Sequence, residues 1–324
     1  MVSRPRIILT RRWPDAVERR LREHYDVRIN EQDVPMSAEQ LREAIRSCDA
    51  LCPTVSDVID RSIIETPGAA ARIIGNYGVG TNHIDLDAAR RAGMAVTNTP
   101  DVLTDATADL AILLMLMATR RAGEGERELR AGRWSGWRPT HLLGLGLQGK
   151  RLGLIGFGRI AQATAMRARA AFGMRIAYYS RRAAPPEVEA ALGAEHFPAL
   201  KDLVAASDVI SLHCPGVPET HHLINADMLA CMKPDMVLVN TARGTVVDEA
   251  ALAEALAEGR IAAAGLDVYE QEPNVHPALL ALENVVLLPH LGSATRETRI
   301  AMGMRVADNL DRFFAGEAPT DRVV

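Results

Sequence analysis

Short apolar runs recur along the first hundred residues, at Arg6–Thr10, Asp26–Ile29, Ala50–Cys52, Arg72–Asn76 and Ala95–Asn98. Each has the length of a strand, and the stretches between them carry helical spacing. This alternation predicts a small α/β domain built on a parallel sheet. Ser37 followed by Gln40 is a capping-box signal for a helix running toward Cys48, and Gly93 stands where the helix of Asp85–Ala92 should stop. From Thr104 to about Arg133 the pattern is helical and its middle is apolar almost all round, as expected of a helix buried between two domains. A second series of strands follows at Leu152–Ile155, Arg175–Tyr179, Val209–His213, Met236–Asn240, Ala263–Asp267 and Val285–Leu288. Helices such as Asp248–Glu258, closed by Gly259, separate them. A last helix over about Thr295–Ala315 is expected to return to the first domain.

The first strand of the second series runs into Gly156-Phe157-Gly158-Arg159-Ile160-Ala161, a Gly-x-Gly-x-x-Ala turn between strand and helix. Such a turn lays a dinucleotide pyrophosphate on a helix N-terminus. Gly156 and Gly158 allow the tight turn and the close backbone approach, and Ala161 fills the small position needed for helix packing. The motif alone is weak evidence, but its strand-turn-helix setting supports it. Its place in mid-chain implies a cofactor domain inserted within a discontinuous substrate domain. The predicted fold is therefore α/β with two doubly wound domains, one flavodoxin-like and one Rossmann. The expected substrate-binding domain covers 1–102 and 293–324, and the NAD(P)-binding domain 103–292. Ligands of open α/β sheets bind beyond the carboxyl ends of strands, so the loops after His213, Asn240, Asp267 and Pro289 should face the nicotinamide.

The next strand ends in Tyr178-Tyr179-Ser180-Arg181-Arg182. An NAD-specific site usually places Asp or Glu here for the ribose 2′-hydroxyl, whereas this chain offers a hydroxyl and two guanidinium groups. No acidic residue lies between Arg175 and Ala184. Ser180, Arg181 and Arg182 are thus expected to hold a 2′-phosphate through charge-assisted bonds. The predicted preference is NADPH over NADH by at least about tenfold, or about 1.4 kcal/mol. A solvated basic loop is the competing reading.

Composition narrows the partners. Of 324 residues 48% are hydrophobic and 24% charged, and the net charge is −4, which leaves no electrostatic footprint for nucleic acid or an anionic membrane. Cys48, Cys52, Cys214 and Cys231 show no Cys-x-x-Cys spacing, no histidines pair at metal-ligand spacing, and no metal is expected. The cysteines read as reduced and mostly buried. The apolar run Leu110–Ala118 is about half the length needed to span a bilayer. Met1–Pro5 leads directly into a strand without the apolar core of a secretory signal, so the expected location is the cytoplasm.

Three further segments each follow an apolar strand: Val239-Asn240-Thr241-Ala242-Arg243-Gly244, Gly265-Leu266-Asp267-Val268-Tyr269-Glu270-Gln271-Glu272-Pro273, and Leu288-Pro289-His290-Leu291-Gly292-Ser293-Ala294. With Asn76-Tyr77-Gly78-Val79-Gly80-Thr81-Asn82-His83-Ile84-Asp85, Thr99-Pro100-Asp101-Val102-Leu103 and Leu212-His213-Cys214-Pro215, the chain resembles the D-isomer-specific 2-hydroxyacid dehydrogenases from about Pro5 to its end. The resemblance implies Arg243, Glu272 and His290 as the catalytic set. His290 would carry the proton for a 2-oxo acid carbonyl, Glu272 would hold the imidazole in its charged form, and Arg243 would grip the substrate carboxylate. It also implies that the amides of Val79 and Gly80 hold the other carboxylate oxygen. For the cofactor it implies Gly156, Phe157 and Gly158, backbone groups of Arg159 and Ile160, and Thr107, Thr241 and Ala242. Asp267 would contact the nicotinamide carboxamide. Cys214 and Pro215 would line the adenosine side with Thr220 nearby, and Arg243, His290 and Gly292 would lie beside the nicotinamide.

Within the family, Glu272 stands where formate dehydrogenases carry Gln. The Trp134/Trp137 segment, the Ser180-Arg181-Arg182 loop and the Gly316-Glu317-Ala318-Pro319 ending most resemble glyoxylate and hydroxypyruvate reductases. In those enzymes similar tryptophans sit near a dimer interface and can reach the partner's active site, and a homodimer is expected. The expected activity is reduction of glyoxylate to glycolate and of hydroxypyruvate to D-glycerate. A bulkier 2-oxo acid is the enzymatic alternative, and a dinucleotide-sensing binding protein is the alternative of another class.

Overall fold

Strands β1 (Arg6–Leu9), β2 (Asp26–Ile29), β3 (Ala50–Cys52), β4 (Ile73–Gly75) and β5 (Ala95–Thr97) pair in parallel in the order β2-β1-β3-β4-β5, in a computed structural model that describes residues 4–324. The three central strands β1, β3 and β4 are almost wholly buried apolar runs, as expected where helices cover both faces of a parallel sheet. The Ser37/Gln40 capping box forms, and Asp85 caps the helix Leu86–Arg91, which Gly93 ends at φ 66°. The long helix Arg296–Phe314 is capped by Thr295 and packs on β4 and on the helix Asp15–His24. A side chain at Gly75 would meet Val306 Cγ1 at 2.8 Å, so glycine lets this helix seat against the sheet. The tail is pinned in the same unit: Asp321 accepts from Arg305 and Asn309, and the Val323 amide donates to Val96 O at 2.7 Å.

A second sheet contains β6 (Arg151–Ile155), β7 (Arg175–Tyr179), β8 (Ala194–His196), β9 (Val209–Leu212), β10 (Val237–Asn240), β11 (Ala263–Leu266) and β12 (Val285–Leu287). All pair in parallel in the order β12-β11-β10-β9-β6-β7-β8. The order reverses between β6 and β9, which is the switch point where this fold binds its ligands, and the first sheet has the flavodoxin-like order. The fold class expected from the alternation is the one observed.

Two features differ from the expectation. β8 was not expected: its three residues Ala194-Glu195-His196 are mostly polar and half exposed, and only pairing with β7 makes them a strand. The helical stretch from Thr104 is also two helices, Thr104–Thr119 and Ala122–Arg130, broken at Arg121 in the left-handed region at φ 51°. Gly123 and Gly125 weaken helix propensity immediately after the break. The first helix is buried against the helix Arg159–Phe172 and against β10, β11 and β12. Gly265 lets it approach the sheet, since a Cβ there would lie 3.0 Å from Leu114 Cβ. The chain divides into two compact units, the residues through Leu103 with Ser293–Val324, and Thr104–Gly292. Among the described residues no helix is long and apolar enough to cross a membrane.

Candidate active site

The Gly-x-Gly turn leaves β6 at the switch point. Gly156 has φ 87°, and a Cβ there would stand 2.8 Å from the backbone of His213 and Cys214 at the end of β9, so only glycine fits. Gly158 differs: a Cβ there would meet nothing within 4 Å. Glycine at that position keeps open the space in front of the helix Arg159–Phe172, whose N-terminus has no side-chain cap. The first-turn amides and the positive end of the helix dipole suit an anion. Phe157 stacks on Tyr178 with ring centroids 3.9 Å apart, and Gln162 Nε2 donates to Phe157 O at 2.9 Å, fixing the turn.

The remaining expected cofactor positions fall on strand ends of the same unit. Thr241, after β10, is buried and its hydroxyl has no partner among the described residues, a polar atom left for a ligand. Ala242 beside it is buried. Cys214 is buried, which pushes its thiol up to about 11, and Pro215 after it is exposed. Thr220 is engaged locally, its hydroxyl donating to Pro215 O at 2.6 Å, which shapes the loop. Thr107 donates to Gly292 O at 3.1 Å. An uncapped helix end, a glycine cradle and an orphan hydroxyl together fit a dinucleotide. At the end of β7 Ser180 donates to the carbonyl of Arg182. His196 Nε2 lies 3.2 Å from Ser180 O and steadies the loop from β8. Arg181 and Arg182 are exposed, and neither forms an ion pair among the described residues.

The three loops after β10, β11 and β12 are interlocked through their backbones. Gly244 is pressed against Tyr269, since a Cβ would lie 1.8 Å from Tyr269 C. The Tyr269 hydroxyl donates to Leu288 O at 2.8 Å, and its amide donates to Glu272 Oε1 at 3.1 Å. Asp267 is 1% exposed and accepts from the amides of Leu291 at 2.6 Å and Gly292 at 2.8 Å. His290 between these contacts sits in the left-handed region at φ 55°, with its amide 2.9 Å from Asp267 O. That conformation is uncommon outside glycine and persists because Asp267 holds the turn from both sides. Burial pushes the Asp267 carboxyl up to about 6, against the pull of the Leu291 amide, His290 and the Gly292 amide.

His290 Nδ1 lies 2.8 Å from Glu272 Oε2, so the expected imidazole–carboxylate pair is formed. Burial acts to raise the Glu272 carboxyl, but His290, the Tyr269 amide and Arg243 outweigh it and hold it below its ordinary value. Arg243 is half-buried, and its Nη1 donates to Ala242 O at 2.6 Å. Burial pulls its guanidinium below its ordinary value, and Glu272 opposes that shift. An anion bound at Arg243 would relieve part of this cost.

Val79 and Gly80 lie in the first unit. Asn76 Nδ2 donates to the carbonyls of Gly78 at 2.9 Å and Gly80 at 3.0 Å, and Asn98 Nδ2 donates to Val79 O at 2.9 Å. His83 Nε2 contacts Asn76 Oδ1 at 3.0 Å and orients that amide. With the carbonyls tied back, the amides of Val79 and Gly80 have no acceptor among the described residues. The tying residues Asn76, Asn98 and His83 had no expected role. The only available signal was Asn76 and His83 standing within the same motif.

Residues 112–292, more than half of the chain, match the family described as "D-isomer specific 2-hydroxyacid dehydrogenase, NAD binding domain". A glyoxylate reductase of Thermococcus onnurineus is 46% identical over 98% of this chain and 95% of its own length. The structure of an NADPH-dependent glyoxylate/hydroxypyruvate reductase from Sinorhizobium meliloti, in complex with NADP and malonate, superposes with a TM-score of 0.86 at 38% identity, covering 99% of this chain and 97% of that one. A glyoxylate reductase structure from Paecilomyes thermophila gives 0.87 at 36% identity, covering 100% and 99%. The two parallel sheets and the glycine turn at the switch point agree with these likenesses: the chain belongs to the D-isomer-specific 2-hydroxyacid dehydrogenases, oxidoreductases that bind a nicotinamide dinucleotide.

Proposed function

We propose that this chain reduces glyoxylate to glycolate and hydroxypyruvate to D-glycerate, with NADPH preferred over NADH. The observation that carries this reading is the 2.8 Å pairing of His290 Nδ1 with Glu272, in the unit that also carries the glycine turn. The names of the relatives support the same substrate class. A nicotinamide held by this unit would supply the hydride for the carbonyl carbon. With Nδ1 engaged by Glu272, His290 presents Nε2 and gives its proton to the carbonyl oxygen. The Glu272 carboxylate favours the charged imidazole and fixes the ring. Arg243 holds the substrate carboxylate with a planar fork that lysine could not reproduce. The free amides of Val79 and Gly80 take a carboxylate oxygen.

In this reading the unit Thr104–Gly292 is the cofactor domain and the other unit binds substrate. Gly156, Phe157, Gly158, Arg159 and Ile160 meet the pyrophosphate, and Cys214, Pro215 and Thr220 flank the adenosine. Thr107, Thr241, Ala242, Asp267 and Gly292 surround the nicotinamide, with Asp267 also bracing the His290 turn. The unpaired guanidinium groups of Arg181 and Arg182 support selection of a 2′-phosphate. Trp134 and Trp137, 50% and 83% exposed, together with exposed Leu129 and Leu143, support a homodimer built on this segment.

Initial rates over a panel of 2-oxo acids, each with NADPH and with NADH, test the proposal. Highest kcat/KM for glyoxylate and hydroxypyruvate with NADPH is the expected result. No loss of nicotinamide absorbance with any 2-oxo acid would refute reductase activity, and turnover confined to bulky 2-oxo acids would overturn the substrate assignment.

A further inference from the structure

Away from the His290–Glu272 pair, the surface of the unit Thr104–Gly292 brings together two adjacent histidines and a carboxylate from a loop 48 residues later. His221 and His222 follow the short 3₁₀ turn Pro218–Thr220, and Glu270 lies in the loop after β11. Side chains of adjacent residues in extended chain point apart. Here His222 takes φ 49°, and the two imidazole rings stack with centroids 4.0 Å apart and planes 27° from parallel. His222 Nε2 contacts Glu270 Oε1 directly. One ligand atom from each of His221, His222 and Glu270 lies within 4.8 Å of the others, the only such triple among the described residues.

Two imidazoles and a carboxylate form a donor set for first-row transition metals rather than for Ca²⁺ or Mg²⁺, which take oxygen ligands. Ligands about 2.0–2.2 Å from one Zn²⁺ in a tetrahedral site stand roughly 3.3 Å from each other. Small rotations of exposed His221 and half-buried His222 and Glu270 would bring ligand atoms now within 4.8 Å of one another to that spacing. Metal-bound imidazole generally uses its second nitrogen on a carboxylate, and Asp248 Oδ2 lies 3.9 Å from His222 Nδ1. Asp248 is itself fixed, because its other oxygen caps the helix Glu249–Ala257 by accepting from the Ala251 amide at 3.0 Å. The Glu270 amide donates to Glu249 Oε1 at 2.8 Å, anchoring the third ligand. The third donor, Glu270, is distant from the histidine pair in sequence and comes to it only through the fold.

The geometry points to a site for one divalent first-row transition metal of the zinc or nickel type, held by His221, His222 and Glu270 with Asp248 behind His222. Bound metal would join the segment after β9 to the loop after β11, and it would stabilise the folded chain by mass action.

The test is calorimetric titration of the full chain, free of any histidine tag, with Zn²⁺ and separately with Ni²⁺. The panel comprises the parent and the variants His221→Gln, His222→Gln, Glu270→Gln and His141→Gln, with circular dichroism to confirm folding. Glu270→Gln keeps a hydrogen-bonding side chain on His222 while removing the anionic ligand, so it serves if His222→Gln fails to fold. The expected result is one equivalent bound by the parent with a raised Tm. Affinity should be at least tenfold weaker in each of the three ligand variants and unchanged in His141→Gln, whose histidine contacts Glu128 elsewhere. No binding by the parent, or equal binding by parent and ligand variants, would overturn the assignment.

Discussion

Replacing Glu272 with Gln removes the charge beside His290 and little else. The carboxylate oxygen lies 2.8 Å from His290 Nδ1, and the two side chains are 31% and 36% exposed, His290 and Glu272 respectively. Unit charges about 4 Å apart attract by about 1 kcal/mol in water and about 4 kcal/mol at an effective dielectric of about 20. Solvent reaches a third of this pair, so screening places the value near the lower end, ~1–2 kcal/mol. About 1.4 kcal/mol corresponds to a factor of ten in rate. In the proposed reaction His290 gives its proton to the carbonyl oxygen while Glu272 stabilises and orients the ring. In Glu272→Gln, kcat/KM should therefore fall by about tenfold. Loss of ring placement should add to that fall. Glutamine has a single oxygen for two donors, the His290 ring and the Tyr269 amide that reaches Glu272 Oε1 at 3.1 Å, so ring placement loosens. The assay is kcat/KM for the best 2-oxo acid across the pH range, for parent and variant, at low and high ionic strength. A kcat/KM equal to the parent's would refute the role given to the carboxylate.

Converting Arg181 and Arg182 together to Ala should lower the NADPH/NADH ratio of kcat/KM at least about tenfold, the equivalent of about 1.4 kcal/mol; an unchanged ratio would sink the assignment of the 2′-phosphate to this loop. His290→Gln should lower kcat by a factor of about 10²–10⁴, the usual range for a lost general acid, while fluorescence titration shows nucleotide affinity close to that of the parent. Near-parent turnover would remove His290 from the chemistry. Asn76→Ala releases two carbonyls now held at 2.9 and 3.0 Å, so KM for the 2-oxo acid should rise about tenfold with a smaller change in kcat. A KM equal to the parent's would show that the Val79–Gly80 amides are not a substrate contact. Gly244→Ala introduces a Cβ 1.8 Å from Tyr269 C, an overlap with backbone that costs at least about 1–3 kcal/mol, and urea denaturation should show it as a lowered midpoint. A midpoint equal to the parent's would mean that the two loops separate readily.

Strands flanked by turn residues and buried on both faces were legible because a parallel sheet needs a continuous apolar run, as in Val237–Asn240 or Val209–Leu212. β8 was not, because Ala194-Glu195-His196 owes its conformation to β7 and not to its own pattern. The break at Arg121 was hidden for a related reason: helix-forming residues such as Ala122, Glu124, Arg127 and Leu129 continue past Thr119, while the left-handed turn depends on local backbone. Candidate chemistry was legible where residue type and strand end coincide, as at Arg243 and His290. What escaped notice were polar side chains that work on backbone: Asn76 and Asn98 tying carbonyls, and Asp267 holding two amides. Such a role depends on which peptide group comes within reach, and that is a property of the fold. That Glu270 reaches the histidine pair at 221 and 222 is likewise a property of the fold, since it is distant in the chain.

The placement of His290 follows from this backbone work. An imidazole on a flexible loop would sample many orientations, and ordering it at the moment of reaction would cost rotational freedom. Here the cost is met during folding. Gly244 presses on Tyr269, the Tyr269 hydroxyl reaches the carbonyl of Leu288, and Asp267 clamps the amides on the far side of His290. The ring itself therefore needs only Glu272 to set its direction. Two kinds of variant should separate accordingly. Those that break the backbone clamp, such as Gly244→Ala, lower stability and activity together. Those that alter the imidazole's partner, such as Glu272→Gln, lower kcat/KM while the thermal midpoint stays close to the parent's. If Glu272→Gln lowered the thermal midpoint as far as Gly244→Ala does, the carboxylate would be part of the scaffold and the division of labour between clamp and chemistry would fail.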